Sequence, residues 1–206
     1  MKIICVGMNY ALHKEELGHT EECPEPVIFM KPDSAVLRDG KPFFLPNDIS
    51  QDVQYETEVV VRISRLGRYI SPQFVRRYYN AVTVGIDFTA RDLQRKFRAA
   101  GHPWELSKGF DESAVIGDFI PLEEVGGDVQ NLHFHLDIDG KTVQQGFTGD
   151  MLFKVDEIIC YVSRFMTLKI GDLIYTGTPA GVGPVSINQR LQGYLEDRKL
   201  LEFYVK

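Results

Sequence analysis

An α+β fold that is mainly β is predicted for this chain, on three observations. Short segments of strict apolar/polar alternation recur, most clearly over residues 54–63 and 132–138. Aspartate-glycine pairs at Asp39-Gly40 and Asp139-Gly140 mark tight turns beside such segments. Helical patterning is confined to a few stretches, near 10–17, 72–79, 89–100 and 157–167. A chain of 206 residues fits one domain, 1–206, able to bury roughly 70% of the surface its unfolded form exposes.

Residues 2–6 read as a first strand, and Gly7-Met8-Asn9-Tyr10 as the turn into a short helix closed by Gly18. His13 and Glu16 share one face of that helix, where a carboxylate can orient an imidazole for general-base work; an exposed surface pair is the plainer alternative. Residues 27–30 form a short strand ending in Lys31-Pro32. Asp39-Gly40 then turns towards Phe43-Phe44-Leu45, giving an expected hairpin, with Lys31 as a candidate anion contact at a rim. The next strand places Tyr55, Thr57, Val59, Val61 and Ile63 on one face and Gln54, Glu56, Glu58 and Arg62 on the other. Glu56 and Glu58 thus point the same way with Cα atoms roughly 6.6 Å apart, within reach of one small cation. A half-buried strand with a wet face gives the same pattern, although Val60 on the polar face argues against open water.

Ser71-Pro72 opens a helix by rule. Residues 82–88 read as a buried strand carrying Asp87 near its end, where an unpartnered charge is costly. Thr89 is expected to cap the following helix, with Asp92 closing a capping box. Beyond the single tryptophan, Trp104, residues 105–111 read as extended, so that Lys108 faces away from Ser107 and Gly109 and can present an ammonium to a developing enolate. His133, His135 and Asp137 fall on one face, either a metal face or the wet side of a hairpin. Asp156 is read as the cap of the last long helix. The loop 176–183, rich in Gly and Thr, can offer backbone N–H groups, Gly177's among them, and Thr hydroxyls to a carboxylate. It lacks the Lys of a phosphate-binding loop and the glycine spacing of a dinucleotide site.

A net charge of -6 with no Lys/Arg cluster argues against a nucleic-acid partner. No apolar run is long enough to span a bilayer, and the opening one ends at Gly7, too short for a secretory signal. Cys5, Cys23 and Cys160 are odd in number and widely spaced, which fits a reducing, cytoplasmic setting.

Taken in order, Gly7-Met8-Asn9-Tyr10 with His13 and Glu16, Lys31-Pro32, Tyr55-Glu56-Thr57-Glu58, residues 85–94, 104–111 and 145–151, and Thr176-Gly177-Thr178-Pro179 resemble the fumarylacetoacetate hydrolase family. The resemblance covers nearly the whole chain and is to the short acylpyruvase and oxaloacetate decarboxylase-like branch. It implies that Glu56, Glu58 and Asp87 bind a divalent cation, Mg²⁺ or Mn²⁺, with Ca²⁺ able to take the place in crystals. It implies that His13 and Glu16 are a catalytic dyad, that Lys108 lies by the substrate, and that Gln94 and Thr178 contact it. The implied fold is a set of mixed, mostly antiparallel sheets rolled into a β-sandwich with flanking helices, usually a homodimer. The implied substrate is a small 2-oxo acid. The leading expectation is hydrolysis of an acylpyruvate, with His13 activating water for attack at C4 and a metal-held pyruvate enolate as product. Oxaloacetate decarboxylation or tautomerisation, and isomerisation of 2-hydroxyhepta-2,4-diene-1,7-dioate, use the same enolate chemistry. A non-catalytic binding protein with a structural ion is the distant alternative, under which His13, Lys108 and the Thr176 loop share no purpose. The chain departs from the family at Met8, where many relatives carry Arg near a distal substrate carboxylate, and at Gly193-Tyr194. Residues 17–26, with Gly18, Thr20 and Glu21-Glu22, are expected to form a mobile loop over bound substrate.

Overall fold

Alternation in the sequence translates directly into strands in the computed structural model, which describes residues 1–16, 18, 24–37 and 40–206. Strand β1 (Ile3–Gly7) enters α1 (Ala11–Glu16), followed by β2 (Val27–Lys31) and β3 (Val36–Leu37). Next come β4 (Val53–Tyr55) and β5 (Thr57–Ile63), one extended run broken only at Glu56, then β6 (Tyr79–Asp87), β7 (Thr89–Ala90), α2 (Arg91–Ala99) and α3 (Glu105–Lys108). Strands β8 (Ala114–Ile116), β9 (Ile120–Pro121), β10 (His133–Ile138) and β11 (Lys141–Phe147) precede α4 (Val155–Phe165). Strands β12 (Leu173–Tyr175), β13 (Gly183–Pro184), β14 (Arg190–Leu195) and β15 (Arg198–Tyr204) complete the chain.

The large sheet runs β2-β1-β12-β5-β6-β8-β3, with β9 on β6; β1 with β12 and β3 with β8 are parallel, and the other pairs antiparallel. A four-stranded antiparallel sheet, β11-β10-β14-β15, lays Phe134, Leu136, Leu191 and Phe203 onto the large one. A small third sheet is β13-β4-β7. This is the rolled, mainly antiparallel sandwich with flanking helices. Both faces of β5 are covered by packed side chains: Val59, Val61 and Ile63 pack with α4 residues Ile158, Ile159 and Val162, while Val60 packs with Ile3, Cys5 and Tyr175 on the reverse. The polar face of the carboxylate strand is therefore not wet. Across from Glu58, Gly85 leaves no room for a side chain, since a Cβ would stand 2.7 Å from both Val60 Cγ2 and the Val115 carbonyl.

Several local expectations give way to tertiary pairing. The segment after β2 does not return as a hairpin; β2 pairs with β1, and Phe43 bridges in parallel to Val205. Asp39 of the expected turn, and residues 17 and 19–23 of the expected mobile loop, lie outside the described residues. Residues Pro72–Arg77 form a 3₁₀ helix with no side-chain cap from Ser71. Thr89 does not cap α2, because its backbone pairs with Gln54 and its hydroxyl serves Glu56. Asp92 instead accepts from Ser50 Oγ at 2.6 Å and from the Gln51 N–H at 3.0 Å. Asp156 lies inside α4 and accepts from the Tyr79 hydroxyl at 2.6 Å and Arg76 Nε at 2.8 Å; the N–H at the helix entrance, Lys154's, goes to Glu157. Among the described residues no helix is long and apolar enough to cross a membrane.

Candidate active site

Glu56 occupies the break between β4 and β5, Glu58 follows on β5, and Asp87 ends β6, its N–H donating to the Glu56 carbonyl at 2.8 Å. The antiparallel register brings the three acids level, and one oxygen of each lies within 4.8 Å of the others. All three are buried. Three cations surround them. Lys108 Nζ donates to Glu56 Oε2 and Asp87 Oδ2, both at 2.9 Å, and to Thr89 Oγ1 at 2.6 Å. Arg91 Nη2 donates to Glu56 Oε1 at 2.5 Å, with its other nitrogens on Gln94 Oε1 and Gln54 Oε1. Lys31 Nζ lies 2.7 Å from Asp87 Oδ1 and also donates to Ser113 Oγ and to the carbonyls of Phe88, Lys108 and Ser113.

The acids differ in how they are compensated. Burial alone would raise the Glu56 carboxyl, but Lys108 and Arg91 hold it well below the usual range. Glu58 is raised well above that range, by burial first and then by the charges of Asp87 and Glu56. Its Oε2 accepts the Gly177 N–H at 2.7 Å, made possible by the left-handed Gly177 backbone (φ 99°), where a Cβ would strike Asn9 at 2.7 Å. Lys108 is destabilised as a cation by burial, yet Asp87 and Glu56 raise it above its ordinary value, so it stays charged.

Beside this set, α1 carries His13, only 3% exposed, with Nδ1 3.1 Å from Glu16 Oε2. Glu16 Oε1 in turn accepts the Gly181 N–H at 3.1 Å, and Asn9 ties the entrance of α1 to the carbonyls of Thr176 and Phe153. A carboxylate on Nδ1 fixes the tautomer that leaves Nε2 as the base. His13, Glu56, Arg91, Gln94, Lys108 and Thr178 line one narrow cleft, whose outer part is formed by Met8, Phe29, Arg98 and Trp104. Its empty volume is about 390 Å³ with the open solvent at the mouth included, and the enclosed space is far smaller.

Of the residues the sequence marks out, the structure thus brings together His13, Glu16, Glu56, Glu58, Asp87, Gln94, Lys108 and Thr178. Lys108 reaches the site from a helical turn, not an extended run, and Lys31 is fully buried behind Asp87, not at the rim. Gly177 directs its N–H at Glu58 and not at the cleft. His133 and His135 stack on Phe147 and Tyr194, and Asp137 accepts from Thr142, so this face is the side of a hairpin. Two functional residues escape sequence reasoning. Arg91 hides in a stretch that reads as a helix cap, and Gln144 looks like any hairpin amide. Gln144 Oε1 accepts the Thr57 N–H at 3.0 Å while Nε2 donates to Thr178 Oγ1 and the Pro179 carbonyl, both at 2.8 Å. It clamps the peptide between the two glutamates.

The donor set fits a hard divalent cation: three convergent carboxylates, oxygen donors only, one of them short of positive charge. A model of the fumarylacetoacetate hydrolase C-terminal region matches residues 2–206. The chain belongs to the fumarylacetoacetate hydrolase family. Within it, the chain is 42% identical over 190 residues to the oxaloacetate tautomerase YcgM of Escherichia coli, covering 92% of this chain and 86% of that protein. It is 40% identical to the mitochondrial oxaloacetate tautomerase FAHD1 of Arabidopsis thaliana, over all of this chain and 91% of that one. Among solved structures, fumarylpyruvate hydrolase from Pseudomonas aeruginosa, in complex with Mn²⁺ and pyruvate, superposes with a TM-score of 0.92 at 35% identity, covering 100% of this chain and 89% of that one. The relatives matched thus carry the names of both a tautomerase and a hydrolase.

Proposed function

We propose that the protein is a divalent-cation-dependent enzyme acting on a small 2-oxo diacid, with oxaloacetate keto-enol interconversion as its leading activity. The observation that carries this is the charge inventory around the cleft. Lys31, Lys108 and Arg91 balance Glu56, Glu58 and Asp87 once all are ionised, so a bound ion adds two positive charges to this set, which a dianionic ligand offsets more fully than a monoanionic one. Oxaloacetate is such a dianion, and acetylpyruvate is not. This favours the diacid over the acylpyruvate expected first.

Glu56, Glu58 and Asp87 would hold the ion, Mg²⁺ or Mn²⁺, which when bound supplies a Lewis acid for the 2-oxo group. The protein does the rest. Arg91 and Lys31 pin the outer carboxylate oxygens, so Glu56 and Asp87 enter the reaction with fixed orientation. Glu16, steadied by Gly181, holds His13 with Nε2 as the base. His13 takes the proton from C3, the C–H electron pair becomes the C2–C3 double bond, and the C2 oxygen receives a proton from Lys108 or solvent. Reversal returns the keto form. Phe29 and Trp104 limit water at the mouth.

Carbon-carbon hydrolysis of a diacid such as fumarylpyruvate is the second reading, supported by the same dyad, which is equally suited to activating water. The test follows enol loss from oxaloacetate by ultraviolet absorbance, with Mg²⁺ and with EDTA, while fumarylpyruvate and acetylpyruvate are assayed for pyruvate release. Metal-dependent enol conversion without pyruvate release establishes the tautomerase. Pyruvate from fumarylpyruvate with no acceleration of enol conversion replaces it with the hydrolase, and inertness on all three refutes both.

A further inference from the structure

We propose that the protein docks peripherally on anionic lipid surfaces, through an exposed patch of apolar and cationic side chains around the pairing of Gly67 with Leu168; the patch is separate from the cleft and its chemistry. Between Glu58 and Asp87 the chain has no Asp or Glu but five arginines, Arg62, Arg65, Arg68, Arg76 and Arg77, in a protein of net charge -6. They are dispersed in sequence, and tertiary pairing brings the middle of this segment to α4. Gly67 and Leu168 exchange both backbone hydrogen bonds, at 3.0 and 2.8 Å, and the Tyr69 N–H donates to the Ser163 carbonyl at 2.9 Å. Residues 65–69 therefore lie beside the end of α4 and the turn that follows it. Four large apolar side chains surface there: Leu66, Tyr69, Phe165 and Ile170, exposed by 63%, 66%, 65% and 73%. Single exposed apolar residues are ordinary, but four around one pairing make a patch of the kind that a partner covers.

The uncompensated charges at the patch are of one sign. Asp156 engages Arg76 at 2.8 Å and Glu25 engages Arg164 at 3.7 Å. Arg65, Arg68, Arg77 and Lys169, all exposed, have no carboxylate partner among the described residues. Several guanidiniums lie on rings instead: Arg68 is 4.9 Å from the centre of Tyr69, Arg77 4.9 Å from that of Phe74, and Arg164 4.7 Å from that of Tyr161. An arginine laid on an aromatic face carries its charge beside apolar surface, a composition that suits the boundary between headgroups and acyl chains. The two aliphatic side chains decide between anionic partners. A nucleic acid stacks on Tyr69 and Phe165 but leaves Leu66 and Ile170 in water, whereas a bilayer takes up all four. A second copy meeting this patch about a twofold axis sets the same cations against each other. The negative charge of the rest of the chain acts weakly here, because physiological salt screens it beyond about 8 Å. The patch follows the end of β5 away from Glu58 and precedes β12, whose other end leads to Thr176, so docking leaves the cleft open.

The experiment measures co-sedimentation of the full chain with vesicles of phosphatidylcholine alone and of phosphatidylcholine mixed with phosphatidylglycerol, at physiological salt. Wild-type protein should partition onto the mixed vesicles at least about tenfold more strongly than onto the neutral ones, and raised salt should release it. The combined variant Arg65→Gln, Arg68→Gln, Lys169→Gln should bind them about 10²-fold more weakly, at roughly fivefold for each charge removed. The variant Leu66→Ser, Ile170→Ser keeps every charge and should still lose at least about tenfold, since its apolar area no longer leaves water. Both variants alter exposed side chains only, so thermal melts should match the wild type. Absence of wild-type binding to the mixed vesicles, or equal binding to both kinds, overturns the proposal. So does a serine variant that partitions as the wild type does, which reduces the contact to charge alone. Wild-type binding to poly(U) but not to vesicles reassigns the patch to nucleic acid, and dissociation of a wild-type oligomer by the serine substitutions, read by sedimentation velocity, reassigns it to a contact between copies.

Discussion

Glu58→Gln replaces a buried carboxylate by a neutral amide of the same shape, and the structure sets opposite signs for its effect without and with the ion. The amide oxygen can still accept the Gly177 N–H, now made at 2.7 Å, so no hydrogen bond need be lost. What disappears is a charge that burial, Asp87 and Glu56 all oppose. Because the folded-state pKa is raised, the unfolded chain gives up this proton first. The group costs nothing below its ordinary pKa of 4.5, and the ion-free wild type loses stability as pH rises from there towards the raised folded value. In EDTA at about pH 8, Glu58→Gln should therefore melt at or above the wild type, and the difference should shrink towards pH 5. With Mg²⁺ at about a hundred times its Kd, the wild type gains about 2.7 kcal/mol. For a chain of this size that is roughly 5–11 °C in Tm, at about 2–4 °C per kcal/mol. The variant, lacking one ligand charge, should gain less than about a third as much. Thermal melts in EDTA and across a Mg²⁺ series at both pH values are sufficient. A variant that melts well below wild type in EDTA would refute the charge strain at Glu58, and one that keeps the full Mg²⁺ gain would refute its role as a ligand.

Three further outcomes are expected. His13→Gln should lower kcat about 10²- to 10⁴-fold while Mn²⁺ affinity by calorimetry stays within about twofold; wild-type turnover would remove the dyad from the reaction. Gln144→Leu leaves the Thr57 N–H and the Pro179 carbonyl unpaired at a cost of about 1–3 kcal/mol each, so Tm should fall by roughly 4–24 °C, and a fall under about 2 °C would show that the clamp is replaceable. Gly177→Ala meets a left-handed backbone and Asn9 at 2.7 Å, so it should weaken Mn²⁺ binding by displacing the N–H from Glu58; unchanged affinity, read by calorimetry, would exclude that positioning.

Period-two alternation made β5, β6 and β10 legible, because strand faces are written in residue spacing. The acids were legible for the same reason: Glu56, Glu58 and Asp87 interrupt apolar strands, where a charge needs a purpose. His13 and Glu16 were visible as an i, i+3 pair. Partners brought from afar were not visible. Gln144 reaches Thr57 across 87 residues, and Lys31 reaches Asp87 from the end of β2; no local pattern distinguishes such an amide or ammonium from a solvated one. Local capping rules failed at Thr89 and Asp156 because each found a stronger partner in another element, Glu56 and Tyr79 respectively. The polar side of β5 looked ambiguous in sequence, because the residues that cover it, Ile3, Cys5 and Tyr175 around Val60, come from distant strands.

Two strands change sheets at the same point. The run through Glu56 leaves the small sheet as β4 and enters the large one as β5, and the run through Asp87 and Phe88 makes the opposite passage from β6 to β7. The carboxylates therefore sit on a corner where two sheets are riveted by one backbone hydrogen bond, from Asp87 to Glu56. An ion held there would span a mechanical seam, and its departure would loosen the angle between sheets as well as empty a site. Amide exchange along β4 and β7, at Val53, Gln54, Thr89 and Ala90, should thus respond to Mg²⁺ more than the interior of β5, although no residue of those short strands is itself proposed to touch the metal.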